Sequence, residues 1–307
     1  MRSRSLATAI VLALALPLAG CGDEETPAKD ANDATDETSE ELRTSVEAPT
    51  IELVDAGSEP RRQLLLDVEQ GQVETTSMTM RQRQSFGDAR PVETPPVTLT
   101  YRTEVSAVTE DRIDAEVVYD ETTVEGAGAD PELVEQLESA LAPLTGMTGS
   151  IALSPSGEGI EQSFALPEDA PEVMKSFVTQ FADQSTALMV PFPEEEVGPG
   201  ATWTATTALE LNGIEIEQTV DYTLEALTDD AYRISVDVVQ SYVPGSASGF
   251  EVTGGHGRSH GVVRGSTALL TPERSTTHAR TVVNGEAQGE QVSIGTRMSM
   301  DLTSELE

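Results

Sequence analysis

The chain has 307 residues and a formal net charge of −36, from 54 acidic and 18 basic side chains. Such an acidic protein repels polyanions, so nucleic acid is not expected as a partner and anionic lipid headgroups are disfavoured as a contact surface. The single cysteine, Cys21, excludes an internal disulfide and a cysteine-ligated zinc site.

The first twenty residues are expected to be an export signal. Arg2 and Arg4 precede an apolar run, Leu6–Leu18, that is shorter than the roughly 20 residues of a membrane-spanning helix. The run ends in Leu18-Ala19-Gly20-Cys21, which resembles the lipobox of bacterial lipoproteins. That resemblance implies cleavage before Cys21 and lipidation of its thiol, with palmitate-type acyl chains as the membrane anchor. The alternative is an ordinary signal peptide with an incidental cysteine.

Residues 21–60 are predicted to be a lipidated cysteine followed by a disordered acidic tether. The segment is rich in Asp, Glu, Thr and Ala and has no aromatic residue, so it buries too little apolar area to offset its ordering entropy. The protein is therefore expected outside the cytoplasm, held to the cell membrane by its lipid alone. In a two-membrane host, Gly22 after the lipidated cysteine permits the outer membrane.

The remaining residues, 61–307, are predicted to form a mainly β body of the α+β class. Apolar and polar residues alternate from Ile214 to Glu225, from Tyr232 to Val238 and from Ile113 to Tyr119, which is typical of half-buried strands. About eleven such strands are too many for a flat sheet, so we expect one large curled antiparallel sheet or half-barrel.

Two amphipathic helices are predicted to cover this sheet. Asp130 and Pro131 cap the first, whose apolar stripe is Leu133–Leu141. The second spans 169–189, with the stripe Val173–Phe181.

The body contains two similar stretches. Tyr101–Val118 and Tyr222–Val239 each read as a strand, an acidic turn, and then Arg-Ile at the start of an alternating strand. The stretches indicate either duplicated halves, at about 61–166 and 190–307 and joined by the second helix, or a chance similarity between β-hairpins.

Together with the lipobox and the acidic tether, the segment Pro191–Trp203 resembles one found in an uncharacterised family of β-rich bacterial envelope lipoproteins. In both, proline and glycine turns lead to a tryptophan at the start of a strand. The family brings no known activity. The strand order also resembles the open half-barrels of periplasmic lipoprotein carriers, a likeness of fold that carries little functional weight.

The sequence lacks several common catalytic motifs, namely Ser-x-x-Lys, a phosphate-binding loop and a dinucleotide fingerprint. The three histidines are weak metal candidates: His256 and His260 would share one face of a strand and His278 would lie on a neighbouring strand. The alternative is a glycine-rich loop with solvated histidines. We therefore expect no metal, no cofactor and no enzyme activity.

Three functional hypotheses follow. The first is a binding or scaffolding module for an envelope protein or polymer, and the second is a hydrolase that uses paired carboxylates. The third is a carrier of a lipid or other apolar ligand, held between the helices and the sheet. Its candidate contacts are Met174, Phe177, Phe181, Ile214 and Ile216.

Overall fold

The computed structural model describes residues 40–45, 48–166, 189–211, 214–247, 250–287 and 289–307. They form fourteen strands, one α-helix and one short 3-10 helix at Ala142–Leu144. The elements are β1 (Glu40–Ser45), β2 (Thr50–Asp55), β3 (Val73–Phe86), β4 (Val92–Val108), β5 (Ile113–Val124), α1 (Pro131–Leu141), β6 (Thr148–Leu153), β7 (Gly159–Leu166), β8 (Thr202–Leu211), β9 (Ile214–Leu227), β10 (Ala231–Tyr242), β11 (Gly245–Ala247), β12 (Phe250–Ser266), β13 (Arg274–Ala287) and β14 (Glu290–Leu306).

All fourteen strands belong to one sheet, and the prediction of a large antiparallel sheet is confirmed. The order across the sheet is β1-β7-β6-β5-β4-β3-β14-β13-β12-β10-β9-β8-β2, with β11 paired to the start of β12. Two meanders, β3 to β7 and β8 to β14, meet where the first strand of one pairs with the last strand of the other.

The chain connectivity requires the sheet to curl. Its two edge strands, β1 and β2, are joined by residues 46–49 alone. The path from Ser45 to Thr50 spans at most about 18 Å when extended. Thirteen strands laid flat would place the edges roughly 58 Å apart at a spacing of about 4.8 Å. The sheet therefore bends until its two open edges approach each other where β1 is followed by β2.

The N-terminal boundary of the body differs from the prediction. The disordered tether was expected to extend to residue 60, but β1 and β2 pair with β7 and β8 inside that segment. Ser58 then donates its backbone N–H to the Pro199 carbonyl at 2.9 Å. An edge strand is stabilised by backbone hydrogen bonds to the neighbouring strand. The amino-acid composition of the segment does not reveal this contribution.

One face of the sheet carries the buried side chains and is called the inner face here. In β3, for example, Glu74, Thr76 and Met78 are buried, whereas the residues between them are half-exposed. Four apolar clusters pack on this inner face, at the two ends of the strands and on both meanders. The opposite, outer face is mostly polar.

Two chain segments fill one end of the curled sheet. Leu64, Phe192 and Val197 are almost wholly buried against β8, β9 and β10. Trp203 stacks on Tyr222 with ring centroids 5.3 Å apart, and its indole N–H donates to the Pro191 carbonyl at 3.0 Å. The Pro191–Trp203 segment, noted above for its resemblance, thus lies within the core.

The first predicted helix is confirmed as α1. The Asp130 carboxylate accepts the Glu132 backbone N–H at 3.0 Å, as expected for an N-cap. Leu141 is buried, while Leu133 and Leu137 are only partly covered. This is the one α-helix among the described residues, where two were predicted. The second, with Met174, Phe177 and Phe181, lies outside them.

The two similar stretches contain turns of the same geometry. Thr109 donates its backbone N–H to the Arg112 carbonyl at 2.8 Å, and Thr228 donates to the Ala231 carbonyl at the same distance. Counted from these turns, Ile113 corresponds to Tyr232. The match of Arg112-Ile113 with Arg233-Ile234, made from the sequence, is therefore displaced by two residues from the match that the turns give. A duplication of the halves stays a prediction.

A buried carboxylate joins β3 to the loop before β13. Glu74 has no exposed surface, and its two oxygens accept backbone N–H groups of Leu270 at 2.7 Å and Thr271 at 3.1 Å. Gln72 donates a third hydrogen bond at 2.8 Å. Burial nevertheless raises the pKa of Glu74 above its ordinary value of 4.5, since loss of hydration outweighs these three donors.

The raised pKa of Glu74 predicts a pH-dependent stability. The folded state binds this proton more tightly than the unfolded state, so the contribution is complete below about pH 4.5 and is lost as the pH rises through the folded pKa. Glu74→Gln removes the titration. We expect the free energy of unfolding of the native protein to fall, relative to Glu74→Gln, as the pH increases from 4 to 8 in urea titrations. Parallel pH profiles would contradict the prediction.

Candidate functional site

The glycine-rich stretch near the histidines is a regular strand, contrary to the loop alternative. Within β12, Gly255 and Gly257 face inward while His256, Arg258 and His260 alternate outward. A Cβ on Gly255 would lie 2.6 Å from the backbone carbonyl oxygen of Val282 on β13. The close approach of the neighbouring strand therefore leaves no room for a side chain at Gly255, and the basic side chains stand on the outer face.

The strand register places four arginines side by side. Arg83 on β3 pairs with Arg297 on β14, Arg297 pairs with Arg280 on β13, and Arg280 pairs with Arg258 on β12. Directly opposed residues share a face of the sheet. The four guanidinium groups therefore form one row across four neighbouring strands of the outer face, which is called the arginine row here.

A second row lies two residues along the same strands. It contains Arg81, Ser299, His278, His260 and Asp237, on β3, β14, β13, β12 and β10. Arg81 forms an ion pair with Asp301 at 3.1 Å, and Nδ1 of His260 lies 2.9 Å from the Asp237 carboxylate.

The two rows enclose a groove of about 920 Å³ on the outer face. The inward-facing residues between the rows, such as Ala279 and Ser259, contribute its floor. Five of the sixteen arginines of the chain line the groove, against two carboxylates, Glu93 and Asp237. Its lining has a net charge of +3 with neutral histidines, in a protein whose net charge is −36.

Three members of the arginine row have no acidic partner among the residues that the structure describes. Arg258, Arg280 and Arg297 form no ion pair with any residue in the described ranges, and Arg83 reaches Glu93 at only 3.5 Å. Like charges directly opposed on neighbouring strands are destabilising. A protein with such an excess of carboxylates could pair these arginines easily. Leaving them unpaired favours a role in binding an external anion.

Arg280 has an arginine on each side, which predicts a gain in stability when it is replaced. Arg280→Thr removes two repulsive contacts and introduces a residue that favours strands, so we expect an increase of about 0.5–1 kcal/mol in the free energy of unfolding without ligand. Urea denaturation at low ionic strength measures it. Arg274→Thr on the same strand, with one opposed arginine (Arg264), should gain less. Equal gains, or a loss at Arg280, would contradict the repulsion.

The histidines do not converge as a metal site. His260 and His278 are opposed on neighbouring strands, as predicted, but His256 lies four residues from His260, roughly 13 Å along β12. Within the described ranges, no group of three or more histidine, cysteine or acidic side chains is arranged to hold a metal ion.

The predicted apolar contacts are only partly described. Ile214 and Ile216 are buried against Phe250, Val252 and Val283, so they belong to the solid core at one end of the strands. A small interior space of about 40 Å³ lies beside Tyr101 and Tyr119, on the other meander. Ile214 and Ile216 do not line it. Met174, Phe177 and Phe181 fall outside the described residues, and Cys21 does so too.

The arginine row was not predicted, although the sequence contains a signal for it. Arg258-Ser259-His260 is followed on the next strand by the inverted order His278-Ala279-Arg280. In an antiparallel pair, inverted spacing can place arginine against arginine and histidine against histidine.

None of the helices in the described part of the chain has the length and apolar character needed to span a bilayer. No protein family model and no curated protein matches the chain. The solved structures with weak similarity include the following three.

The first is the attachment invasion locus protein Ail of Yersinia pestis, with 7% identity and a TM-score of 0.17, covering 77% of this chain and 100% of Ail. The second is a mutant porin of Rh. blastica, with 5% identity and a TM-score of 0.23, covering 75% of this chain and 99% of the porin. The third is an outer membrane channel from Pseudomonas putida F1, with 9% identity and a TM-score of 0.16, covering 78% of this chain and 98% of the channel. TM-scores this low do not establish a shared fold, and nothing about the function of this chain follows from them.

Proposed function

We propose that the protein is an extracytoplasmic lipoprotein, anchored through Cys21, whose β body binds an anionic ligand in the groove of the outer face. The body acts as a binding module and not as an enzyme. The anchor rests on the lipobox resemblance of Leu18–Cys21, and the ligand class rests on the geometry of the groove.

The arginine row is the observation that carries this proposal. Guanidinium groups offer a planar fork of donors that matches carboxylate and phosphate groups, and charge-assisted hydrogen bonds of this kind are stronger than neutral ones. Arg258, Arg280 and Arg297 keep these donors free of acidic partners within the described ranges. An anion in the groove would relieve their mutual repulsion. Both the new charge-assisted contacts and this relief of repulsion would therefore favour binding.

The exposure of the groove favours binding over catalysis. His260 and Asp237 have side chains that are 60% and 62% exposed. General acid–base catalysis usually relies on groups in a pocket from which water is excluded, because electrostatic interactions are stronger there than in solvent. A solvent-exposed pair on a sheet face fits a contact surface better.

Two measurements test the proposal. Cys21→Ser should move the protein from the membrane fraction to the soluble extracytoplasmic fraction of its host, because it removes the acylated thiol.

The body beginning at residue 40 should bind polygalacturonate but not its fully methyl-esterified, uncharged form in calorimetric titrations. Equal heats for the charged and uncharged polymers would exclude the anion-binding role, and a membrane-bound Cys21→Ser protein would exclude the anchor.

A further inference from the structure

The positive surface in the groove is linear and of limited length. The four arginines of the row lie on consecutive strands, so their spacing follows the strand separation of about 4.8 Å and the row is roughly 14 Å long. All four side chains are exposed. No enclosed pocket brings them around one small anion.

The arginine row ends at a carboxylate on one side and at an uncharged residue on the other. Glu93 on β4 lies opposite Arg83 and forms an ion pair with it at 3.5 Å. At the other end, Arg258 lies opposite Val239 on β10, and Asp237 lies two residues from Val239 on the same strand, diagonal to Arg258. An anionic chain longer than the row would therefore meet Glu93 at one end, and at the other it would find no further arginine and a carboxylate nearby.

From this arrangement we infer that the ligand is a linear polymer with one anionic group in each repeat, and that it lies across the strands. Three or four consecutive anionic groups contact Arg83, Arg297, Arg280 and Arg258 in turn. The inference rests on the proposed function and specifies its ligand. Carboxylates of a uronic acid polymer and phosphodiesters of a polyol phosphate share this chemistry.

A multivalent ligand is required because each contact is exposed and individually weak. When one anionic group is bound, its neighbours on the same chain are held close to the adjacent arginines, so each added contact costs little further entropy. Affinity should therefore rise steeply with the number of groups up to four. It should then level off, since Glu93, Asp237 and the acidic body repel the additional repeats.

A length series tests the inference directly. We would titrate the body with oligogalacturonides from the monomer to the octamer, and in a parallel arm with glycerol phosphate oligomers of the same lengths. The tetramer should bind at least about a hundredfold more tightly than the monomer, whereas the octamer should gain less than about threefold over the tetramer. The arm with the higher affinity identifies the anionic group.

Variants at the two ends sharpen the test. Glu93→Gln combined with Asp237→Asn should raise the affinity for the octamer more than that for the tetramer, because the carboxylates next to the two ends of the row no longer repel further repeats. Thr253→Ala, on the outer face of β12 but away from the groove, should change neither affinity.

The outcomes separate the inference from the proposed function. If no oligomer binds, the proposed function fails. If the monomer binds as tightly as the tetramer, or the octamer continues to gain steeply, the groove binds anions but the linear four-contact arrangement is wrong. Binding to vesicles of anionic phospholipid, with no binding to either oligomer series, would assign the groove to a membrane surface and overturn the polymer.

Discussion

Replacing Trp203 with alanine should lower the free energy of unfolding by about 3–5 kcal/mol. The indole is 1% exposed, stacks on Tyr222, and anchors the Pro191 carbonyl through its N–H. Truncation removes this buried area, leaves a cavity beside Tyr222, and deprives the buried Pro191 carbonyl of its donor.

Urea denaturation followed by far-ultraviolet circular dichroism measures the loss, because Trp203 is the only tryptophan and its fluorescence disappears with it. Val54→Ala is a suitable control. Val54 is 68% exposed on the edge strand β2, so its truncation should change stability by less than about 0.5 kcal/mol. A loss below about 1 kcal/mol at Trp203 would show that this segment is not a cohesive part of the core.

The double variant Arg258→Gln/Arg280→Gln should lower the affinity for a tetragalacturonide by about a hundredfold. Each arginine provides a charge-assisted contact, and a loss of about 1.4 kcal/mol per contact corresponds to a tenfold change in affinity. Isothermal titration calorimetry at a fixed salt concentration measures the change. Circular dichroism and urea denaturation verify that the fold is retained, and removal of the repulsion should make this variant slightly more stable than the native protein.

The sheet offers a closely matched control for this pair. Arg264 and Arg274 are also opposed across β12 and β13, on the same face, six residues or roughly 20 Å along the strands. Arg264→Gln/Arg274→Gln makes the same change in net charge with the same strands, so it should alter the affinity by less than about twofold. Equal losses in both double variants would mean that overall charge, and not the groove, governs binding.

The sequence alone indicated the β-rich class, several individual strands and one helix. The alternation from Ile214 to Glu225 became β9, and the Asp130-Pro131 signal became α1. These predictions succeed because a period of two, or a capped apolar stripe, is a local property of the chain. The single cysteine likewise excludes an internal disulfide without any knowledge of contacts, whereas the net charge of the whole chain does not reveal the local excess of arginines in the groove.

The tertiary structure decided the extent of the ordered body and the location of the candidate site. The polar segments around β1 and β2 are ordered because distant strands provide backbone partners, a contribution absent from local composition. Arg83 and Arg297 are 214 positions apart in sequence, yet adjacent in the sheet. Alternation predicts which face an arginine occupies, but only the register between strands determines which charges are neighbours, since a shift of one residue exchanges the two faces.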